Sequence, residues 1–156
     1  ATVAEENPEV SGMGSTVVLA ARCGKKICIV HVGDSRAYLW RGGKLQRLTK
    51  DHSLVQMMIA RGELKAEQAR TYPGKNLITR AIGTEAVVEC DIFHRRLEQG
   101  ECLLLCSDGL SNLVDEQEIL FEVVHGADKQ NCCKMLLDIA VRRGAPDNVS
   151  CILVEV

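Results

Sequence analysis

Between residues 15 and 48 the chain alternates short runs of β-branched and apolar residues with glycine or turn signals, a rhythm that commits the region to antiparallel strands. Strands are expected over residues 15–22, 26–32, 36–41 and 44–48. The last two meet at Gly42-Gly43, a pair free to adopt the positive φ of a tight hairpin. A polar, helix-prone stretch over residues 52–70 then interrupts the rhythm. Leu54, Met57, Met58 and Ala60 would line one face of that helix before Pro73-Gly74 stops it, so residues 52–75 read as an insertion between strands. Strand character returns at 87–96 and 101–106, joined by the turn Glu98-Gln99-Gly100.

Two helices follow. Asp115, with Glu118 three residues on, has the form of a capping box, and Ile119, Leu120, Val123 and Val124 give that helix a buried face. A second helix is expected over residues 130–143. Arg142 and Arg143 complement its dipole, Gly144 suits a left-handed C′ position and Pro146 prevents continuation. A final strand covers 149–156.

Composition narrows the function. With 46% apolar and 26% charged residues the chain falls among folded globular proteins. A net charge of −2 with interspersed signs supplies no field for nucleic acid or an anionic membrane. The longest apolar runs, such as 17–21 and 103–105, are too short to span a bilayer, and residues 1–7 have no signal-peptide pattern, so a cytoplasmic protein is expected. Eight cysteines raise the question of zinc or disulfides. None shows zinc-knuckle spacing, and Cys28, Cys102, Cys106 and Cys151 fall in apolar strands, which predicts reduced, mostly buried thiols. Cys90 and Arg96 match the spacing of a cysteine-phosphatase loop, but Asp91-Ile92-Phe93-His94-Arg95 between them holds no glycine to turn backbone N–H groups toward a phosphate.

Three aspartates sit in tight turns beside apolar strands. Asp34 follows the second strand in Gly33-Asp34-Ser35, Asp108 follows the 101–106 strand in Ser107-Asp108-Gly109, and Asp147 precedes the last strand in Pro146-Asp147-Asn148. Rigid strand ends can bring carboxylates together, the donor set that Mg²⁺ or Mn²⁺ requires. The competing reading is that each aspartate only forms its turn. Histidines 31, 52, 94 and 125 lie in separate elements with no ligand spacing. Arg61, Lys65, Arg70 and Lys75 give the insertion a positive bias that suits either an acidic substrate or a solvated helical face.

The order of the motifs carries more than any one of them. Ser11-Gly12-Met13-Gly14-Ser15-Thr16, Gly33-Asp34-Ser35-Arg36-Ala37-Tyr38, Leu48-Thr49-Lys50-Asp51-His52-Ser53, Ile78-Thr79-Arg80-Ala81-Ile82-Gly83, Ser107-Asp108-Gly109-Leu110-Ser111 and Pro146-Asp147-Asn148-Val149-Ser150 follow one another as in the PPM family of metal-dependent serine/threonine protein phosphatases, which the chain resembles, especially in its bacterial branch. The resemblance implies an α+β fold of two packed antiparallel sheets flanked by helices, and hydrolysis of phosphoserine or phosphothreonine by a metal-activated water. It implies two catalytic Mn²⁺ or Mg²⁺ ions and a weaker third site. Asp108 and Asp147 would be ligands, Asp34 would share the third site with Asp108, and Ser107, Gly109 and Asn148 would support the turns. Residues 52–75 would be the family's flap beside the active site, with His52 and Ser53 toward substrate. Phosphorylated proteins, the products of serine/threonine kinases, are the expected partners of a monomeric enzyme.

The family's first strand, with its phosphate-binding arginine, and its Asp-Gly-x-Gly-Gly-His motif have no counterpart in the 156 residues. Residues 1–10 read as the end of the helix before the Gly-Met-Gly strand. The isolated chain is therefore expected to lack central strands and a bridging metal ligand, and to catalyse poorly. A regulatory or binding module on a phosphatase fold is the alternative.

Overall fold

The computed structural model describes residues 9, 12–125 and 129–156; apart from Glu9, the helix end expected over residues 1–10 lies outside them. Strands β1 (Val17–Cys23), β2 (Lys26–Val32) and β5 (Asp91–Arg96) form one antiparallel sheet in the order β1-β2-β5. Strands β3 (Arg36–Arg41), β4 (Lys44–Arg47), β6 (Cys102–Cys106) and β7 (Cys151–Glu155) form a second, in the order β4-β3-β6-β7. Helices α1 (Leu54–Ala60) and α2 (Ala66–Ala69) lie in the insertion. Helix α3 (Asp108–Ser111) follows β6, and α4 (Glu116–His125) and α5 (Lys129–Arg142) precede β7.

Alternation along β3 and β6 builds two cores. Leu39, Leu103 and Leu105 meet Ile27 and Ile29 of β2 between the sheets. Tyr38, Cys102, Leu104 and Cys106 point the other way, onto Ile119 and Val123 of α4 and Cys132 and Leu136 of α5. A strand buried on both faces reads as a continuous apolar run, as Cys102–Cys106 does.

The expected boundaries shift where tertiary pairing decides them. Residues 87–90 are not strand: the β2–β5 pairing ends at His31↔Asp91, one residue before β2 itself ends at Val32. The single helix expected over 52–70 is two short ones. The α1 C-cap is Arg61, and Gly62 turns the chain at φ +74°. Ser53 caps α1 by accepting from the Gln56 N–H (3.3 Å), and the phase this sets buries Val55 while Met57 stays exposed. On α4, Ile119 and Val123 are buried as expected but Val124 faces outward. Asp115 Oδ1 accepts from the N–H groups of Gln117 and Glu118, and Glu118 reaches back to the Asp115 N–H, completing the capping box. Gly144 ends α5 at φ +95°. All eight cysteines are free. Cys102, Cys106 and Cys132 are buried, whereas Cys23 at a hairpin end and Cys90 in a loop are exposed, contrary to the expectation of burial for most. Among the described residues no helix is long and apolar enough to cross a membrane.

Candidate active site

Register brings the three aspartate turns to one end of the four-stranded sheet. Arg36 of β3 pairs with Cys106 of β6, and Cys106 pairs with Cys151 of β7. In sequence Asp34 lies just ahead of this row, Asp108 just beyond it and Asp147 shortly before β7. Asp34 also sits where the chain passes from one sheet to the other, since Gly33, Asp34 and Ser35 alone connect β2 to β3.

The turns of Asp108 and Asp147 are fastened to each other. The Ser107 N–H donates to the Ser150 carbonyl (3.0 Å), and the Ser150 N–H donates to Ser107 Oγ (3.0 Å). Ser107 Oγ in turn donates to the Asn148 carbonyl (3.3 Å). Gly109 lets the backbones meet: a Cβ there would stand 3.0 Å from the Asn148 carbonyl carbon and closer still to its oxygen. Asp147 Oδ1 accepts from the Asn148 N–H (2.6 Å), so one of its oxygens holds its own turn. Asn112 Nδ2 donates to Asp108 Oδ2 (3.3 Å).

Asp34 and Asp108 line a common cavity of about 100 Å³, whose wall also carries Arg70, Lys75 and Ser111. Burial, then the charges of Asp108 and Asp51, push the Asp34 carboxyl up to about 6. Ser111 Oγ is buried without a hydrogen-bond partner. A wider trough of about 650 Å³ shares Arg36, Ser53, Arg70 and Ser111 with this cavity and runs on to Asp115 and Gln117 at the start of α4. Between them Asp51, 9% exposed, is held by Arg36 (2.7 Å) and Arg47. Of the four basic residues in the insertion, Arg70 and Lys75 face the cavity.

Ser53 lines the cavity, buried as the α1 N-cap. His52 is 9% exposed, with both ring nitrogens engaged. Its Nδ1 accepts from the Gly33 N–H (3.0 Å) and its Nε2 contacts Asp91 Oδ2 (3.2 Å). The His52 N–H also donates to the Gly33 carbonyl (2.8 Å). Beside it lie Arg80, which donates to Asp91 Oδ1 (3.1 Å), and His31, fully buried. Among the described residues, His31, His52 and Asp91 are the one group of three potential ligands whose atoms lie within 4.8 Å of each other; the three turn aspartates do not form such a group. Spacing does not reveal this cluster, but period does. Ile27, Ile29 and His31 share the buried face of β2, so a histidine stands where the pattern asks for an apolar residue. Cys90 is exposed and Arg96, on β5, pairs with Glu98 (3.1 Å), which leaves no phosphate loop there.

The sequence profile of the protein phosphatase 2C family matches residues 1–137. The serine/threonine phosphatase Stp of Listeria welshimeri is 38% identical over 152 residues, covering 97% of this chain and 60% of the relative. PstP of Mycobacterium tuberculosis is 38% identical over 97% of this chain and 29% of its own length. The chain thus spans less than two-thirds of these curated relatives. Among solved structures, Stp1 of Staphylococcus aureus superposes with a TM-score of 0.94 at 36% identity, over 99% of this chain and 61% of that one. The PstP catalytic domain in complex with two manganese ions does so with 0.89 at 35% identity, over 99% and 64%. Sheet order, the ordered motifs and these matches agree, and the chain belongs to the protein phosphatase 2C family.

Proposed function

We propose that the intact protein hydrolyses phosphoserine and phosphothreonine in proteins with divalent-metal assistance, and that Asp34, Asp108 and Asp147 are among its metal ligands. The observation that carries this reading is the cavity that Asp34 and Asp108 line together, where burial, and then repulsion from Asp108 and Asp51, raises the Asp34 pKa to about 6. A hard cation relieves that repulsion, and carboxylate oxygens are its preferred donors. The unpartnered Ser111 Oγ fits a site that takes up oxygen-bearing ligands.

Mn²⁺ or Mg²⁺ held by Asp34, Asp108 and Asp147 would supply Lewis-acid charge for the phosphoryl oxygens and lower the pKa of a bound water. The chain's own residues orient and fix. Ser107, Gly109 and Asn148 hold the Asp108 and Asp147 turns against each other, so neither carboxylate has to be brought in when substrate arrives. Arg70 and Lys75 on the cavity wall attract a phosphate dianion, and the trough beside Ser53 accommodates the flanking peptide. Two manganese ions in the PstP complex support the metal assignment, and the phosphatase names of the relatives support the substrate class. In this reading the protein acts as a cytoplasmic monomer, reversing the work of serine/threonine kinases.

The test is hydrolysis of a phosphothreonine peptide by the full-length protein with Mn²⁺ and with chelator. Turnover should require metal, and Asp108→Ala and Asp147→Ala should each abolish it. Metal-independent turnover, or full activity in either variant, would overturn the proposal.

A further inference from the structure

The cluster His31, His52, Asp91 and Arg80 lies outside the chemistry proposed above. Its composition suggests a cation site, but its hydrogen bonds argue otherwise. His52 Nδ1 accepts the Gly33 N–H, so the proton of a neutral imidazole sits on Nε2 and is donated to Asp91. A cation on Nε2 would require either an imidazolate or loss of the Gly33 bond. The Arg80 guanidinium, 3.1 Å from both His52 Nε2 and Asp91 Oδ1, already supplies the positive charge.

The same bonds describe a strut. Asp91 fixes the imidazole, and His52 satisfies both main-chain groups of Gly33, one through its ring and one through its own N–H. Gly33 holds φ +105°, and a Cβ on it would lie 3.2 Å from Thr16 Cα and closer to the Thr16 side chain, so the turn is shaped from two sides. His31 closes the back of the pocket with its ring 4.8 Å from that of His52. Burial, with His52 next to it, lowers its pKa, which favours an uncharged wall. His52 also stands at the foot of the insertion, where its carbonyl accepts from the Thr79 N–H (2.8 Å) and Ser53 bridges Ile78.

We infer that His52, held by Asp91, is a positioning residue for the Asp34 carboxylate and thereby sets the affinity of the metal site to which Asp34 contributes. The inference rests on the reading of Asp34 as a ligand. Residues that orient a ligand from behind typically control metal affinity by about 10–100-fold.

The experiment is a Mn²⁺ titration of the full-length protein, followed by electron paramagnetic resonance and calorimetry, beside kcat and KM for a phosphothreonine peptide. His52→Ala should weaken one Mn²⁺ site by about 10-fold or more and leave peptide KM within about two-fold. His52→Asn should restore most of that affinity, because its Oδ1 can accept the Gly33 N–H. Asp91→Ala, at a partly exposed position on β5, should weaken the same site without touching the Asp34 turn directly. Asp34→Ala is the control. If it leaves the titration unchanged, the reading of Asp34 as a ligand falls and the inference with it. If it removes a site that His52→Ala and Asp91→Ala both retain within about two-fold, the positioning role alone is overturned.

Discussion

Gly109→Ala adds one methyl group where the two best-fastened acidic turns touch. The new Cβ would stand 3.0 Å from the Asn148 carbonyl carbon and nearer still to the oxygen. Ordinary carbon contacts lie at about 3.5–4.0 Å, so the turns must part by about 1 Å. Overpacking of this kind costs about 1–3 kcal/mol, which for a domain of this size lowers Tm by roughly 2–12 °C. The larger effect is on chemistry. A misplacement of about 1 Å between groups that act together can cost about 100-fold in rate. Gly109→Ala in the full-length protein should therefore lose about 100-fold in kcat on a phosphothreonine peptide at saturating Mn²⁺ and bind Mn²⁺ more weakly, while remaining folded by circular dichroism. Gly100→Ala is the matched control: its φ of +83° strains an alanine, yet nothing lies within 4 Å, so stability should fall and turnover should not. Turnover of Gly109→Ala within two-fold of the parent would show that the contact between the turns does not set the geometry of the acids.

Asp34 gives a pH prediction for the metal-free protein. An acid whose folded pKa is raised, here to about 6, contributes stability that is fully present below its unfolded value near 3.8 and lost as pH rises through the folded one. In chelator, Asp34→Asn should stabilise the protein at pH 8 by at most about 3 kcal/mol, a gain that urea titrations should find shrinking to nothing below about pH 4. Asp51→Ala would leave Arg36 and Arg47 without their shared partner. Breaking a buried pair from one side costs about 3–5 kcal/mol, and the loss should appear in chelator as clearly as in Mn²⁺. Glu118 is held down to about 2, first by its hydrogen bonds from Arg143. A depressed acid stabilises above its unfolded value near 4.5 and fails as pH falls through about 2, so Arg143→Gln should flatten the loss of stability across that interval.

What could be read in advance was whatever depends on neighbours in sequence. Strand period, the Gly42-Gly43 hairpin, the Asp115 capping box and the Gly144 stop are local, and the structure keeps all of them. The misplaced features depend on partners that local pattern cannot name. The strand expected to begin at residue 87 begins at Asp91, where its pairing with the end of β2 begins. Leu54, Met57, Met58 and Ala60 are expected to share one face of the insertion's helix, but the Ser53 cap sets the helix phase and Val55 is the residue that goes inward. The aspartate turns stood out because glycine and serine flank them. The His31–His52–Asp91 cluster did not, since its members come from β2, the foot of the insertion and β5, and only the tertiary fold makes them neighbours.

The two halves of the proposed metal site are held by different means. Asp108 and Asp147 belong to turns at the ends of β6 and β7, strands hydrogen-bonded to each other and laced by Ser107, so their separation is set within one sheet. Asp34 stands on the crossing from one sheet to the other: on one side Arg36, two residues on, is held to Cys106 by the β3–β6 ladder, and on the other Gly33 ends the path from β2. Its placement thus depends on that ladder and, on the β2 side, on how Ile29, Leu39, Leu103 and Leu105 pack between the sheets and on the His52 clamp at Gly33. Side-chain packing yields more readily than a strand ladder, and His52 is also the foot of the insertion that walls the cavity. A displacement of the insertion is therefore transmitted first to the Asp34 turn, while the Asp108–Asp147 pair keeps its geometry.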